Sequence, residues 1–507
     1  MNNDLVIGID SSTTGTKAIA WNRFGEAVAE GRCPISMSNP RPGHFEQASG
    51  DWWTSAVDAI QGVLGKVSPE RIVALSVTNQ RETFVPIDIQ RSPLRPAMLW
   101  LDERSREEIK EISRDLGAEK INAITGRYPD LTPSVYRFEW MRRHEPDLFS
   151  KIATIQDVHG FLVEKLTSQN LTSEACADAF GSFDICSRTW SEILLERTGL
   201  TSSQFSKTVP AGSVIGHLTK AASKITGLRQ ETLVVAGGGD GQTSALGANI
   251  TSPGHAYLNL GTAVVSGVYS DQCKIGLAFR TLIAVSGRGF LLESVIRTGT
   301  YLLNWFLQGV AKNQDKEALE GLNRAAAKLR PGSEGLLLVP YLSGTMTPYW
   351  NPQARGVLFG LSSTHEQTHF YRAILEGLGL EIRLMTEETE RAAGHEISEF
   401  IVFGGGSQSE FWCQTIADIA GKPVHQLSTG ECSSLGAAIL AAVGAGWFPN
   451  TSEAAAQMGH FGKTLTPNLE HQKFYTDLFG IYKELYPRLK DLFERLHTVI
   501  NSAPGTG

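Results

Sequence analysis

The chain has 507 residues, enough for two to four domains at about 150 residues each, so a single small binding module is excluded. Its formal net charge is −7, so no overall basic field attracts nucleic acid or an anionic membrane surface, and we expect neither as a partner. The composition, 41% hydrophobic and 20% charged, is that of a globular protein with an ample core. Glycine is in excess, at 51 residues against a usual share of about 7%, so the positions of the glycines are informative.

The expected compartment is the cytoplasm. The first residues lack the basic region and long apolar stretch of a secretory signal. The longest mostly apolar run, 435–448, is too short to span a bilayer. Six cysteines are scattered without a C-x-x-C pair, which favours reduced thiols over a disulfide framework.

Short β-branched runs alternate with longer helical patterns along the chain. The predicted strands are 5–9, 17–21, 72–77, 233–236, 256–260, 336–340 and 399–403, and the predicted helices are 51–64, 104–116, 370–389 and 411–421. This alternation predicts an α/β fold with mixed sheets flanked by helices. The tail, 474–500, has one apolar stripe and is expected to form a helix packed on a domain, with a kink at Pro487.

Two hairpins of the same character open the two halves of the chain. Residues 7–21 and 257–267 each read as two apolar strands joined by a turn that contains glycine and threonine. Their likeness indicates two halves of one design, although it is short enough to arise by chance. With a turn-rich boundary at 251–254, we predict an N-terminal domain over 1–250, a C-terminal domain over 255–446, and a helical extension over 447–507.

The glycine-rich turns do not match the two familiar phosphate loops. Gly462-Lys463-Thr464 resembles the end of a Walker loop, but Gln457 replaces its first glycine. No stretch completes the dinucleotide pattern G-x-G-x-x-G, which disfavours an oxidoreductase. Exposed N–H groups and hydroxyls can nevertheless bind an anion without net positive charge, and this description fits the turns at 10–17, 237–241, 261–262 and 404–407. They suit a nucleotide held between two domains.

Many short motifs in one order resemble the FGGY family of carbohydrate kinases. They include Ile7-Gly8-Ile9-Asp10, Ala236-Gly237-Gly238-Gly239-Asp240, Leu260-Gly261-Thr262, Gly356-Val357-Leu358-Phe359-Gly360-Leu361 and Phe403-Gly404-Gly405-Gly406-Ser407. The resemblance covers nearly the whole chain. It implies two ribonuclease-H-like domains, as in actin and hexokinase, around a central cleft where ATP with Mg²⁺ phosphorylates a small sugar or polyol.

The resemblance also assigns roles to residues along this cleft. Asp240 is the expected general base that takes the hydroxyl proton during in-line transfer, although a helix N-cap is the alternative interpretation. Asp10 is expected to orient Mg²⁺, with an Asx-turn as its alternative. The residues expected to contact ATP are Thr13, Thr14, Lys17, Gly261, Thr262, Gly405, Gly406 and Ser409.

The residues expected on the substrate side of the cleft point to two different substrates. Arg81 and Glu82 lie in a stretch that resembles the glycerol kinase motif, and such a pair supplies donors and acceptors for vicinal hydroxyls, unless it is only a salt bridge at a strand end. Thr132 and Gly241 are smaller than their glycerol kinase counterparts, which predicts more room. We therefore expect a four- to six-carbon substrate, preferably a pentulose such as xylulose, bound by Arg81, Glu82, Trp100, Thr132, Asp240 and Gln242.

Other functions remain open on the sequence alone. A glycerol or erythritol kinase is the nearest alternative. Ser12 and Ala263 replace glycines found in most members of the family, which leaves a non-catalytic sugar sensor open, and an ATPase like actin or the chaperones is a third class. Members of the family are often dimers or tetramers, so we expect a homodimer or homotetramer.

Overall fold

A computed structural model describes residues 3–312 and 316–502. In chain order its strands are β1 (Leu5–Ser11), β2 (Gly15–Trp21), β3 (Ala27–Pro34), β4 (Glu46–Gln47), β5 (Ile72–Asn79), β6 (Phe84–Ile87), β7 (Ala97–Met98), β8 (Thr154–Asp157), β9 (Leu171–Ser173), β10 (Phe183–Asp184), β11 (Thr189–Trp190), β12 (Lys207–Val209), β13 (Val214–His217), β14 (Leu233–Gly239), β15 (His255–Leu260), β16 (Val264–Ser270), β17 (Arg280–Ile283), β18 (Phe290–Ile296), β19 (Leu337–Val339), β20 (Val357–Phe359), β21 (Glu399–Phe403), β22 (Val424–Leu427) and β23 (Phe461–Leu465).

The α-helices lie between these strands. They are α1 (Ser49–Leu64), α2 (Arg106–Leu116), α3 (Ala118–Thr125), α4 (Val135–His144), α5 (Pro146–Phe149), α6 (Val158–Thr167), α7 (Glu174–Ala177), α8 (Glu192–Thr198), α9 (Lys220–Thr226), α10 (Asp240–Gly247), α11 (Thr300–Trp305), α12 (Lys316–Ala326), α13 (Gln367–Ala393), α14 (Glu410–Ala420), α15 (Cys432–Gly444), α16 (Thr451–Met458) and α17 (Leu469–Asn501). Every predicted strand and helix is present, with bounds that differ by a few residues. The predicted α/β class is confirmed.

A six-stranded mixed sheet in the N-terminal half gathers the predicted catalytic residues. Its strand order is β13-β14-β5-β1-β2-β3, and the central strands β14, β5 and β1 are parallel. Asp10 in β1 and Gly238 in β14 both lie beside Thr78 of β5. Because the carboxyl ends of parallel strands meet at one edge of a sheet, the residues that follow β5 and β14 reach the same edge as Asp10.

A seven-stranded sheet repeats this arrangement in the C-terminal half, in the order β17-β18-β16-β15-β21-β22-β23. The antiparallel hairpin β15–β16 stands beside the parallel strands β21 and β22, so the turns after β15 and β21 meet at one edge. Strand β23 joins the other side of the sheet, antiparallel to β22. The segment after residue 447 is therefore not wholly helical, because it also completes a sheet. The division into domains stays a prediction.

Helices α10 and α15 pack against each other between the two sheets, and their contact depends on glycine. A Cβ added to Gly436 of α15 would lie 1.9 Å from the carbonyl oxygen of Thr243, and one added to Gly247 of α10 would lie 2.2 Å from that of Cys432. Side chains of α15 such as Leu435 and Ile439 belong to one buried cluster with Val6 of β1. A helix from late in the chain thus shares a core with the first strand, and the close approach uses part of the glycine excess.

The tail forms helix α17, with Pro487 inside it. Its buried face includes Tyr475, Phe479 and Tyr482, which pack in one cluster with Leu380 of α13. The hydroxyl of Tyr482 donates to the buried carboxylate of Glu381. The predicted packing of this helix on the rest of the chain is therefore present.

One expectation about the cysteines is wrong. The structure joins Cys186, in the turn between β10 and β11, to Cys273 after β16, with a Cα–Cα distance of 5.6 Å and a sequence separation of 87. A pair so far apart in the sequence leaves no local motif, which is why the pattern of cysteines did not reveal it.

No helix in the described ranges combines the length and apolar character that crossing a membrane requires.

Candidate functional site

Asp240 opens α10, directly after β14, at the floor of the cleft between the halves. Its Oδ1 accepts hydrogen bonds from Arg81 Nε at 3.0 Å and from the Gly241 N–H at 2.8 Å. No described residue donates to its Oδ2, and 46% of its side-chain surface is exposed. The group is nevertheless surrounded by protein, and this desolvation raises its pKa, while Arg81 partly opposes the rise. One oxygen is thus held and the other is free to accept a proton.

Arg81 connects Asp240 to the other half of the chain. Its Nη1 donates to Oε1 of Glu293 in β18 at 3.2 Å, while its Nη2 makes no hydrogen bond to the described residues. Glu293 is fully buried and also accepts from Arg280 and, at 3.1 Å, from the hydroxyl of Tyr257. Arg81, Glu293 and Tyr257 line a polar cavity of about 160 Å³ together with Asp240, Gly241, Ser244 and Ser433. The cavity therefore draws its walls from both halves.

The space beside Gly241 is filled, which corrects the expectation that this glycine makes room for a larger substrate. A Cβ at Gly241 would lie 2.7 Å from Glu293 Oε2 and 3.0 Å from Arg81 Nη2. A side chain here would crowd two charged side chains that approach the backbone at this point. The sequence analysis interpreted the missing side chain as room for substrate, whereas in the structure the Glu293 and Arg81 side chains lie close to the backbone there.

Asp10 offers a carboxylate oxygen that suits a metal ion. It is the next-to-last residue of β1, opposite Lys17 of β2, and its Oδ1 is buried without a hydrogen-bond partner in the described ranges. Burial, reinforced by the nearby Asp240 carboxyl, raises the pKa of Asp10 to about 7. An unpartnered buried oxygen near the Asp240 carboxyl suits a cation as its partner, so Asp10 fits a bound Mg²⁺.

Lys17 is engaged by a residue that the sequence did not single out. Its Nζ forms an ion pair with Glu431, which stands just before α15 and also contacts Arg32 at 3.2 Å. Lys17 and Glu431 are both largely buried, with 22% and 28% of their side chains exposed. The predicted phosphate contact of Lys17 therefore requires this pair to rearrange. Because 414 positions separate the two residues, no local pattern could have predicted their contact.

The first hairpin turn is tied to the substrate side of the cleft. The Thr13 hydroxyl accepts from Trp100 Nε1 at 2.9 Å and donates to Gln80 Oε1 at 3.1 Å. Thr14 is exposed, and its hydroxyl has no partner in the described ranges. Two residues predicted for different ligands, Thr13 and Trp100, thus touch each other, while Thr14 presents a free donor.

A buried arginine organises the predicted sugar-binding loops. Arg137 donates to the carbonyl oxygens of Leu99 at 2.6 Å, Glu82 at 2.7 Å and Thr132 at 2.7 Å. Glu82 has φ of 59°, and its carboxylate pairs with the buried Arg127. Arg81 and Glu82 therefore do not form a salt bridge with each other, and the Glu82 carboxylate already has a charged partner. Arg137 was missed because arginine inside a helical pattern is ordinarily a surface residue.

Gln242 turns its amide away from the cleft. Its Nε2 donates to the carbonyl of Ala175 at 2.8 Å and approaches Asp178 Oδ2 at 3.2 Å. Its Oε1 is buried and has no partner among the described residues. Contact between Gln242 and a substrate stays a prediction, and it requires this buried side chain to move, because only 1% of Gln242 is exposed.

Two predicted nucleotide-binding turns follow neighbouring strands of the C-terminal sheet. Gly261 and Thr262 follow β15, and their carbonyl oxygens accept from the N–H groups of Thr300 and Gly299 at 2.9 and 2.7 Å. The Thr262 side chain is exposed, with no hydrogen bond to described residues. The second turn, after β21, needs glycine at 404, where φ is 87° and a Cβ would lie 2.6 Å from Asn259 Oδ1.

A cavity beside the second turn has the dimensions and the lining for a nucleobase. Its volume is about 270 Å³, and its walls include Gly405, Gly406, Ser409, Asn323 and Trp412. Ser409 caps α14 by accepting from the Trp412 N–H at 3.3 Å, and its hydroxyl donates to Asn323 Oδ1. A mostly apolar slot with a few fixed polar groups is typical of a cofactor site.

Comparisons with known proteins agree with this geometry. The model of the FGGY family of carbohydrate kinases, N-terminal domain, matches residues 5–247, and that of the C-terminal domain matches residues 256–445. Xylulose kinases of Bacillus subtilis and Escherichia coli are each 29% identical over 96% of this chain, covering 97% and 100% of their own lengths. The crystal structure of xylulose kinase from Rhodospirillum rubrum superposes with a TM-score of 0.89 at 27% identity, covering 97% of this chain and all of that one. The chain therefore belongs to the FGGY family of carbohydrate kinases, with the two-domain fold of actin and hexokinase.

Proposed function

We propose that this kinase transfers the terminal phosphoryl group of ATP to a hydroxyl of a ketopentose such as xylulose. The observation that carries the proposal is the geometry of Asp240: Arg81 and Gly241 donate to its Oδ1, no described residue donates to its Oδ2, and 46% of the side chain is exposed. A general base needs one unpaired oxygen within reach of the attacking hydroxyl. The role of Asp240 as that base is part of the proposal.

In the proposed reaction, Oδ2 of Asp240 accepts the proton of the sugar hydroxyl as its oxygen attacks in line. Arg81 Nη2 is free to donate to a neighbouring sugar hydroxyl. Asp10 would hold Mg²⁺, which neutralises charge on the phosphates when bound. On the nucleotide side, we propose contacts from Thr13, Thr14, Lys17, Gly261 and Thr262 to the phosphates, and from Gly405, Gly406 and Ser409 to the nucleoside.

The choice of a ketopentose rests on the xylulose kinases reported above, because this chain matches them over almost their full lengths. A glycerol or erythritol kinase is the second candidate, and the observation that favours it is the stretch 78–83 with Arg81 and Glu82. The ion pair between Glu82 and Arg127 weakens this second reading, because the Glu82 carboxylate already has a charged partner.

Since the reaction draws on cellular ATP, we propose the cytoplasm as the compartment.

A substrate panel tests the proposal. ADP formation would be measured with glycerol, erythritol, xylulose, ribulose, xylitol and gluconate, and each substrate ranked by kcat/KM. Xylulose is expected to rank first, with Asp240→Asn as the inactive control. First rank for glycerol or erythritol would establish the second candidate, and the absence of sugar-dependent ADP formation across the panel would favour a non-catalytic sensor.

A further inference from the structure

Four residues of the C-terminal sheet form one row below the cleft. In neighbouring strands Tyr257 pairs with Gly267, Gly267 with Glu293, and Glu293 with Arg280. Because Gly267 has no side chain, the Tyr257 ring crosses over it; a Cβ there would lie 2.4 Å from Tyr257 Cε1. The Tyr257 hydroxyl then reaches Glu293 Oε2 at 3.1 Å. The row thus presents a single carboxylate between a tyrosine and an arginine.

This carboxylate is charged although it is buried. None of the Glu293 side chain is exposed. Burial alone would raise its pKa, but Arg81 and Arg280 outweigh that effect and lower the pKa to about 2. Arg280 belongs to the same row and supplies one compensating charge, so Glu293 is already paired within its own half. Arg81 is a second cation, and it comes from the other half of the chain.

The position of Arg81 decides how much of Asp240 is free. At present Nη1 points to Glu293 and only Nε contacts Asp240. A guanidinium released from Glu293 can turn its planar fork onto both oxygens of a carboxylate, which is the preferred geometry of arginine–carboxylate pairs. Such a turn would cover Oδ2, the oxygen that the proposed reaction needs.

We infer that Glu293 is a positioning residue for Asp240 that acts through Arg81. It holds the guanidinium from the opposite side, so that Arg81 contacts one oxygen of Asp240 and leaves the other to the substrate hydroxyl. The inference rests on the proposed function, since it explains how the base stays available. Through Glu293, the C-terminal sheet then also helps to position the residues that bind the sugar.

Kinetics of Glu293→Gln test this role, because the variant keeps the shape of the side chain and removes its charge. We expect kcat to fall by about 100-fold while the KM for ATP changes by less than about two-fold, since misplacing a reacting group by about 1 Å has such an effect. Glu293→Asp keeps the charge at a shorter reach and should fall between the wild type and Glu293→Gln. Unchanged kcat in Glu293→Gln, or a change in KM alone, would overturn the inference.

A matched control separates positioning from folding. Glu376 is also buried and also accepts from an arginine and a tyrosine, Arg372 at 2.7 Å and Tyr475 at 2.7 Å, but it lies in α13, outside the cavity of Asp240. Glu376→Gln should lower the thermal stability as Glu293→Gln does and leave kcat unchanged. An equal loss of kcat in both variants would show that Glu293 is merely structural.

A crystal structure of Glu293→Gln decides the inference without any turnover. Arg81 contacting both oxygens of Asp240 would support it, and Arg81 unmoved would overturn it. If Glu293→Gln does not fold, the same kinetic and structural measurements on Glu293→Asp decide the question. A wild-type protein without activity on any sugar would instead refute the proposed function, so the two failures remain distinct.

Discussion

Replacing Gly241 by alanine tests whether this glycine leaves room for substrate or allows Glu293 and Arg81 to approach the backbone. The new Cβ would lie 2.7 Å from Glu293 Oε2 and 3.1 Å from Arg81 Cζ. The Glu293 carboxylate cannot easily retreat, because Arg280 and Tyr257 hold it from the other side. Alanine gains about 1 kcal/mol of helix propensity within α10, but overpacking costs about 1–3 kcal/mol. We therefore expect a net loss of about 1 kcal/mol in the free energy of unfolding, the difference between these two effects.

Activity should fall more than stability in this variant, because the clash displaces Arg81, which donates to Asp240, and Glu293, which holds Arg81. We expect kcat/KM for the preferred sugar to drop by at least about 100-fold, the order expected for a misplaced reacting group. Denaturant unfolding and steady-state ADP formation measure the two effects. Gly480→Ala is the control, since Gly480 lies within α17 with no heavy atom within 4 Å of its added Cβ; it should gain about 0.5–1 kcal/mol and keep full activity. Wild-type kcat/KM in Gly241→Ala, or a clean shift to glycerol, would refute the reasoning.

Three further predictions concern residues outside the proposed reaction. Arg137→Lys removes the fork that holds three carbonyl oxygens, so the KM for sugar should rise more than that for ATP and the free energy of unfolding should fall by about 2–4 kcal/mol; equal effects on both KM values would contradict this. Burial raises the pKa of Glu381 to about 7, above its ordinary value of 4.5, so the folded state binds the carboxyl proton more tightly than the unfolded state. The contribution of this proton to the free energy of unfolding is fully present below pH 4.5 and is lost as the pH rises through 7. Glu381→Gln should flatten that decline, and an unchanged pH profile of denaturant unfolding would contradict it. Cys273→Ser should lower the free energy of unfolding by about 2–4 kcal/mol without reductant and by little with it; equal loss in both conditions would show that Cys186 and Cys273 are not joined.

Much of the fold could be predicted because it depends on local patterns. The strand that contains Asp10 and the strand that ends before Asp240 are short apolar runs closed by glycine or polar turns, and such runs are recognisable in a single sequence. Parallel pairing with β5 then brings these ends together. The candidate site thus follows from strand ends whose positions the sequence reveals.

The remaining contacts depend on which strands become neighbours. Glu293 meets Arg81 only because β18 lies in register with β16 and β17, and nothing near Glu293 in the sequence announces that row. Lys17 and Glu431 are equally remote in the chain. The misinterpretation of Gly241 has the same origin, since the side chains that fill its space come from β18 and from the turn after β5.

The most direct test of the account is a single-turnover measurement with Asp240→Asn, saturating ATP, Mg²⁺ and the preferred sugar. Asparagine keeps an oxygen for Arg81 but cannot accept the sugar proton, so the variant should fold and bind ATP with wild-type affinity. Loss of a general base slows transfer by about 10²–10⁴-fold, and we predict a loss at the upper end of this range. Phosphoryl transfer at near the wild-type rate would contradict the central claim that Asp240 is the base.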